Sequence, residues 1–209
     1  MRTYWSRTLL FIGIALVLAG IAVIAVPVAA VFNRGAAGNN ALYAWQHGGE
    51  KNITGAVKGT VAPIPATVCS ASNAPPADYA LVTFPVTGGV SYAGVATNGT
   101  WAQLLTMPMV HYVTSPAPGQ PGNVIIGFHR EPQYQNINQM RVGQLVKIET
   151  RNCTTYTYRI TGAWDETPSQ VTQLVPTTGS QLTLITCTPW WVDTHRLVWR
   201  ATLIGSTPG

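Results

Sequence analysis

Between Leu9 and Phe32 the chain runs for 24 residues without a charge, through Leu-Leu-Phe-Ile-Gly-Ile-Ala-Leu-Val-Leu. As a helix this stretch is about 36 Å long, enough to cross a hydrocarbon layer of about 30 Å with some tilt. Arg2 and Arg7 precede it and Arg34 follows. The positive-inside rule then puts the short N-terminus in the cytoplasm and everything after the stretch outside. A cleaved signal peptide is the alternative, with Ala29 and Ala30 as small residues for processing. Secretory apolar cores run to only about 7–15 residues, so a retained single-pass anchor is the preferred reading. Either way the remainder of the chain is exported.

That remainder is one ordinary domain's worth of a 209-residue chain. Three of the 12 basic residues flank the apolar stretch, leaving nine against seven acidic ones. A body so nearly neutral, with no Lys/Arg cluster to follow a phosphate backbone, gives nucleic-acid binding no support. The boundaries expected are 1–33 for cytoplasmic tail and anchor, 34–78 for a stalk with a short helix around Ala41–His47, and 79–209 for the packed domain. Pro63 and Pro65, then Pro75-Pro76, mark turns within the stalk.

From Tyr79 onward, short apolar or alternating runs recur between turn residues: Tyr79–Phe84, Val124–Phe128, Gln144–Thr150, Thr155–Thr161, Leu182–Thr186 and Leu197–Leu203. Six or more strands at this spacing predict a mainly β fold, an antiparallel barrel or sandwich. Short helical turns are expected near Thr100–Leu105 and Asn138–Met140.

The cysteines are Cys69, Cys153 and Cys187. An odd number in an exported chain leaves at least one thiol free or paired with another chain, and Cys69 with Cys153 can form a disulfide that leaves Cys187 reduced. There is no Cys-x-x-Cys spacing and the four histidines are scattered, so no metal site is expected.

Three residues at strand ends carry candidate chemistry. Cys187 closes Leu182-Thr-Leu-Ile-Thr-Cys187 and is followed by Thr188-Pro189, which stops the ladder. A thiol there stands on a rigid element beneath a loop. His129 closes Val124-Ile-Ile-Gly-Phe128, and Arg196 opens the last strand in Thr194-His-Arg-Leu-Val-Trp199. Singly, each is as readily a packing or surface residue.

Together they resemble the sortase family. Thr183-Leu-Ile-Thr-Cys187 reads like the Thr-Leu-x-Thr-Cys signature. Pro118-Gly-Gln-Pro-Gly-Asn-Val-Ile-Ile-Gly-Phe-His-Arg130 is similar to the family's Pro-Gly-x-x-Gly-Asn, apolar strand and Ala-Gly-His. Arg196-Leu-Val-Trp-Arg-Ala201 is similar to its closing arginine strand. The resemblance spans about Tyr79 to Ile204. It departs where the usual Ala-Gly is Gly127-Phe128, which sets a bulky ring next to His129 and bears on substrate preference. Met109-Val-His-Tyr112 before Pro118–Gly122 most resembles the actinobacterial class E subtype. A papain-like protease, by contrast, places its cysteine first in the chain.

The resemblance implies a closed sortase-type β-barrel with short helices, behind a membrane anchor. It implies a cysteine transpeptidase that cuts a Leu-(Pro/Ala)-x-Thr-Gly sorting signal between Thr and Gly and passes the acyl group to an amine, attaching surface proteins to the wall. Partners would be sorting-signal proteins and a peptidoglycan precursor or other amine acceptor, with no cofactor. Cys187 would be the nucleophile, His129 the acid and base, and Arg196 the oxyanion or backbone clamp. Thr186 is expected to donate into the oxyanion site, Tyr112 and His111 to line the groove, and Trp190 to cover an apolar Leu. His195, adjacent to Arg196, points to the opposite face and is taken as structural. With ordinary pKa values of about 8.5 and about 6.5, roughly 3% thiolate and roughly a quarter imidazolium coexist at pH 7. Fewer than about 1% of molecules are then the ion pair, a deficit of roughly 3 kcal/mol.

Overall fold

The computed structural model describes residues 2–47 and 77–209. Residues 48–76, which hold the expected turns at Pro63, Pro65 and Pro75-Pro76 and also Cys69, lie outside the described residues. The chain divides into two units, Met1–Asn33 and Arg34–Gly209.

Helix α1 runs Arg2–His47 with Pro27 inside it. The proline removes one backbone donor, and the helix carries on through it. Its first part is the apolar stretch, whose large side chains stand exposed along its length, Phe11 by 69% and Ile24 by 68%. The segment Leu9–His47 is long and apolar enough to cross a membrane. The helix expected separately at Ala41–His47 is instead the end of α1. Gly-Ala-Ala-Gly interrupts the hydropathy after Arg34, yet its alanines are strong helix formers and its glycines are where the helix meets the barrel.

The second unit is a closed barrel of eight strands: β1 (Asp78–Thr83), β2 (Ala93–Gly99), β3 (Met109–Tyr112), β4 (Gly122–Phe128), β5 (Leu145–Thr150), β6 (Thr155–Glu166), β7 (Ser180–Thr188) and β8 (His195–Thr207). Their order around the barrel is β1-β2-β3-β4-β7-β8-β6-β5. Short 3-10 turns occupy Gln103–Leu105, Ile137–Gln139 and Pro168–Gln170. The barrel is not wholly antiparallel. β2 pairs with β3 in parallel, and β4 pairs with β7 in parallel. The second pairing needs a long crossover, which β5 and β6 fill on the far side of the barrel.

Alternation within each strand sends one set of side chains inward. Val124, Ile126 and Phe128 of β4, Leu182 and Leu184 of β7, and Leu197, Trp199 and Ala201 of β8 join the central core. Phe128 is 1% exposed and packs against Phe84 and Tyr134, with ring centroids 5.2 and 5.3 Å away. The expectation that its ring, next to His129, bears on substrate preference is therefore corrected: strand alternation turns it into the core. The end of α1 packs on the outside of β1 and β2, where Trp45, Leu81 and Val95 make a second small cluster. The Trp45 indole N–H donates to Glu149 Oε1 of β5 at 3.1 Å.

Candidate active site

β7 lies between β4 and β8, and the two registers determine what surrounds Cys187. On one side Cys187 is directly paired with Arg196. On the other, Gly127 pairs with Ile185. Carried two residues further, that register sets His129 beside Cys187. Paired residues project to the same face of a sheet. Cys187 is out of phase with Leu182 and Leu184, and Arg196 is out of phase with Leu197 and Trp199. Sulfur, imidazole and guanidinium therefore share the outer face of three adjoining strands. Thr186 Oγ1 donates to the Phe128 carbonyl at 2.6 Å, which locks β4 to β7 at this level.

His129 is held at two points. Its backbone N–H donates to the Pro108 carbonyl at 2.9 Å, and ring Nε2 donates to the Leu104 carbonyl at 2.5 Å. A carbonyl only accepts, so Nε2 carries a hydrogen and Nδ1 is the nitrogen left to exchange a proton. Burial lowers the His129 pKa most. The Leu104 bond opposes this, the Arg34 charge adds to it, and Asp193 opposes it. Burial raises the Cys187 pKa. Arg196 pulls it down, Asp193 and Glu131 push it up, and Arg34 pulls it down. The two shifts separate the pair, so thiol and neutral imidazole are the resting forms at neutral pH. Arg196 Nη1 donates to the carbonyls of Asp193 and His195, each at 2.9 Å, which ties the guanidinium to the loop before β8. Cys187 is a free thiol, whereas Cys153 is disulfide-bonded.

A family profile described as "Sortase domain" matches residues 82–204. The chain belongs to the sortase family. A sortase D5 transpeptidase of Clostridium perfringens is similar at 26% identity, over 61% of this chain and 79% of that one, with a TM-score of 0.51. A sortase C1 of Streptococcus agalactiae is similar at 25% identity, over 61% and 67% of the two chains, with a TM-score of 0.51. Sortase A of Listeria monocytogenes shares the fold at 19% identity, over 64% of this chain and 91% of that one, with a TM-score of 0.54. No curated protein matches the chain.

Two groups of side chains stand on the outer face near the candidate site. On the β6–β7 side, Asn123 Nδ2 donates to the carbonyls of Gln173 and Val175, both at 3.0 Å, and Thr183 Oγ1 donates to Asn123 Oδ1 at 2.7 Å. The two motifs carrying the family resemblance thus clasp each other and pin the residues around Gln173. On the β3 side the Trp101 ring lies against Gly127, where a Cβ would meet its edge, and stacks on Tyr112 with centroids 4.9 Å apart. Tyr112 is two residues beyond Val110, which pairs with Gly127, so it stands on the same face.

The remaining sequence candidates are placed differently. His111 pairs with Ile126 and faces inward, 2% exposed. Its ring stacks on Tyr79 at 4.2 Å, Nδ1 lies 2.9 Å from Asn98 Oδ1, and Nε2 lies 3.1 Å from the Pro116 carbonyl. Both nitrogens are engaged inside the barrel, so His111 does not line the outer groove. The Thr186 hydroxyl is also spent, on Phe128, and is not offered to an oxyanion. Trp190 sits in the β7–β8 loop with the Arg130 guanidinium 5.8 Å from its ring. Arg130 Nη1 donates to Thr188 Oγ1 at 3.0 Å, and the Trp191 N–H donates to Glu131 Oε1 at 2.8 Å, so the loop is fastened from below. His195 pairs with Thr188 on the other face, its Nδ1 3.7 Å from Asp165.

Sequence reasoning assigned no site role to Arg34, Glu131 or Asp193, whose charges all act on Cys187. None belongs to the resembling motifs' catalytic positions.

Proposed function

We propose that the chain is a membrane-anchored sortase acting through a thioacyl-enzyme, with Cys187 as nucleophile, His129 as acid and base, and Arg196 as the cation at the oxyanion. The observation that supports it most is the double register: Cys187 pairs with Arg196 on one side, and on the other β4 pairs with β7 up to Gly127–Ile185, two residues short of His129 and Cys187. The Cys187 thiol gives its proton to His129 Nδ1, the thiolate attacks the Thr carbonyl of a Leu-(Pro/Ala)-x-Thr-Gly signal, and a carbon–sulfur bond forms. Negative charge gathers on the carbonyl oxygen, where the permanently charged Arg196 stabilises it. As the Thr–Gly bond breaks, His129 gives its Nδ1 proton to the departing Gly nitrogen. An acceptor amine, on a peptidoglycan precursor, then attacks the thioester. His129 takes a proton from the amine, and Cys187 leaves as thiolate.

The groove between the Trp101–Tyr112 wall and the segment around Gln173 is the proposed path of the signal peptide, with Trp190 over its apolar side chain. Met109-Val-His-Tyr112, followed by Pro118–Gly122, favours class E within the family. The apolar helix is read as a single-pass anchor with its N-terminus cytoplasmic and the barrel extracellular, and 34–78 as the connection to it.

The test is incubation of the full chain in detergent with a panel of signal peptides and an amine, followed by mass spectrometry. Wild type forms the amide product. Cys187→Ala gives none, and His129→Ala loses turnover. Full transpeptidation by Cys187→Ala would end the proposal.

A further inference from the structure

We propose that Arg34, which follows the apolar stretch within α1, is a positioning residue of the catalytic centre: it grips the turn that orients His129 and adds its charge to the field at the site. This rests on the catalytic reading given above for Cys187 and His129.

Arg34 Nη1 donates to the Leu105 carbonyl at 3.4 Å, while His129 Nε2 donates to the neighbouring Leu104 carbonyl at 2.5 Å. Both side chains thus hold adjacent carbonyls of the same 3-10 turn, Gln103–Leu105. The helix is seated there by close contact. A Cβ on Gly35 would lie 3.0 Å from Pro132 Cγ, and one on Gly38 would lie 2.8 Å from Gln133 Oε1. Gln133 Nε2 donates to the Gly35 carbonyl at 3.1 Å and to Asn39 Oδ1 at 2.8 Å, which clamps the helix to the loop that follows His129. Arg34 is therefore fixed from both ends.

Its Nε–H is buried and makes no hydrogen bond among the described residues. A buried N–H on a permanent cation without an acceptor is costly, and a side chain held that way at a reactive centre invites a functional reason. The electrostatics supply one. Among the described residues, the charges that act on His129 are those of Arg34 and Asp193, and those that act on Cys187 are Arg196, Asp193, Glu131 and Arg34. Asp193 and Glu131 oppose the thiolate, and Arg34 acts with Arg196 against them. The Arg34 charge lowers the pKa of both the thiol and the imidazole, so it moves the pH window of the pair downward as a whole.

The experiment compares wild type, Arg34→Gln and Arg34→Lys as full chains in detergent. It reads kcat/KM across pH with a signal peptide and amine, and the rate of Cys187 alkylation across pH. Arg34→Gln is expected to lower kcat/KM about tenfold at pH 7 and to shift both the acid and the alkaline limb upward. Its alkylation at pH 7 slows about threefold, because less thiolate is present. Arg34→Lys keeps the charge and returns the limbs toward their wild-type places, while the lost guanidinium contact keeps turnover low. If Arg34→Gln left both limbs and the alkylation profile in place, Arg34 would be only a structural prop and the proposal would fall, whatever the turnover. The alkylation arm needs no turnover, so it decides on Arg34 even if Cys187→Ala proved active and the catalytic reading failed.

Discussion

Thr183 Oγ1 donates to Asn123 Oδ1 at 2.7 Å, joining the strand that carries Cys187 to the strand that leads into His129, four residues or more before either reaches the site. Thr183 is fully buried and Asn123 is 2% exposed. Thr183→Val keeps the shape and removes the donor, leaving a buried amide oxygen unsatisfied. The expected loss is about 1–3 kcal/mol of stability. Thermal unfolding of the variant against wild type checks it, and an unchanged midpoint would contradict the role assigned to the clasp.

The opposed shifts of His129 and Cys187 predict a broad pH plateau. The thiolate–imidazolium form grows with pH up to the imidazole pKa, stays level, and is lost above the thiol pKa. With the imidazole lowered and the thiol raised, the acid limb lies below and the alkaline limb above the ordinary values of about 6.5 and about 8.5. A kcat/KM profile with a narrow maximum inside that interval would be inconsistent with it.

Glu131 raises the Cys187 pKa and also accepts the Trp191 N–H. Glu131→Gln removes the charge while keeping an oxygen for the loop. Removing an opposing anion lowers the thiol pKa, so alkylation at pH 7 is expected to speed up about threefold. A slower reaction in the variant would reverse the sign assigned to Glu131.

Gly127 leaves the space that the Trp101 ring occupies. Gly127→Ala drives the indole off β4 and parts it from Tyr112, with an expected fivefold or so rise in KM for signal peptide and a smaller change in kcat. Tryptophan fluorescence reports the displacement directly. An unmoved KM would remove this wall from the substrate path.

Burial raises the Asp78 pKa to about 6, against a weaker opposing pull from Arg151. The folded state then binds this proton more tightly than the unfolded one. Its ionisation costs stability fully above about pH 6, and the cost fades as pH falls toward about 3.9. Asp78→Asn should therefore be more stable than wild type at pH 8, by about 1–2 kcal/mol after solvent screening, and equal to it near pH 4. Unfolding at the two pH values tests the difference.

Much of the molecule was readable along the chain. The charge-free run from Leu9 to Phe32 needs only its length and hydropathy. β1, β4, β5 and β7 announce themselves because alternation and turn residues are local signals. β2, Ala93–Gly99, was missed since its Ala, Gly and Asn carry no strand signature, and pairing on both sides supplies what propensity lacks. The order His129, Cys187, Arg196 was legible as motif.

What the sequence could not decide is which strands become neighbours and which way each side chain turns. The parallel pairing of β4 with β7 spans more than fifty residues, and it runs up to Gly127 and Ile185, two residues before His129 and Cys187. Period-two alternation separates Tyr112 from His111, and His129 from Phe128, but only a closed barrel says which set is inside. The charges of Arg34, Glu131 and Asp193 come from a helix and two loops far apart in sequence. Electrostatics acts through space, so their common hold on one thiol exists only once the chain is folded.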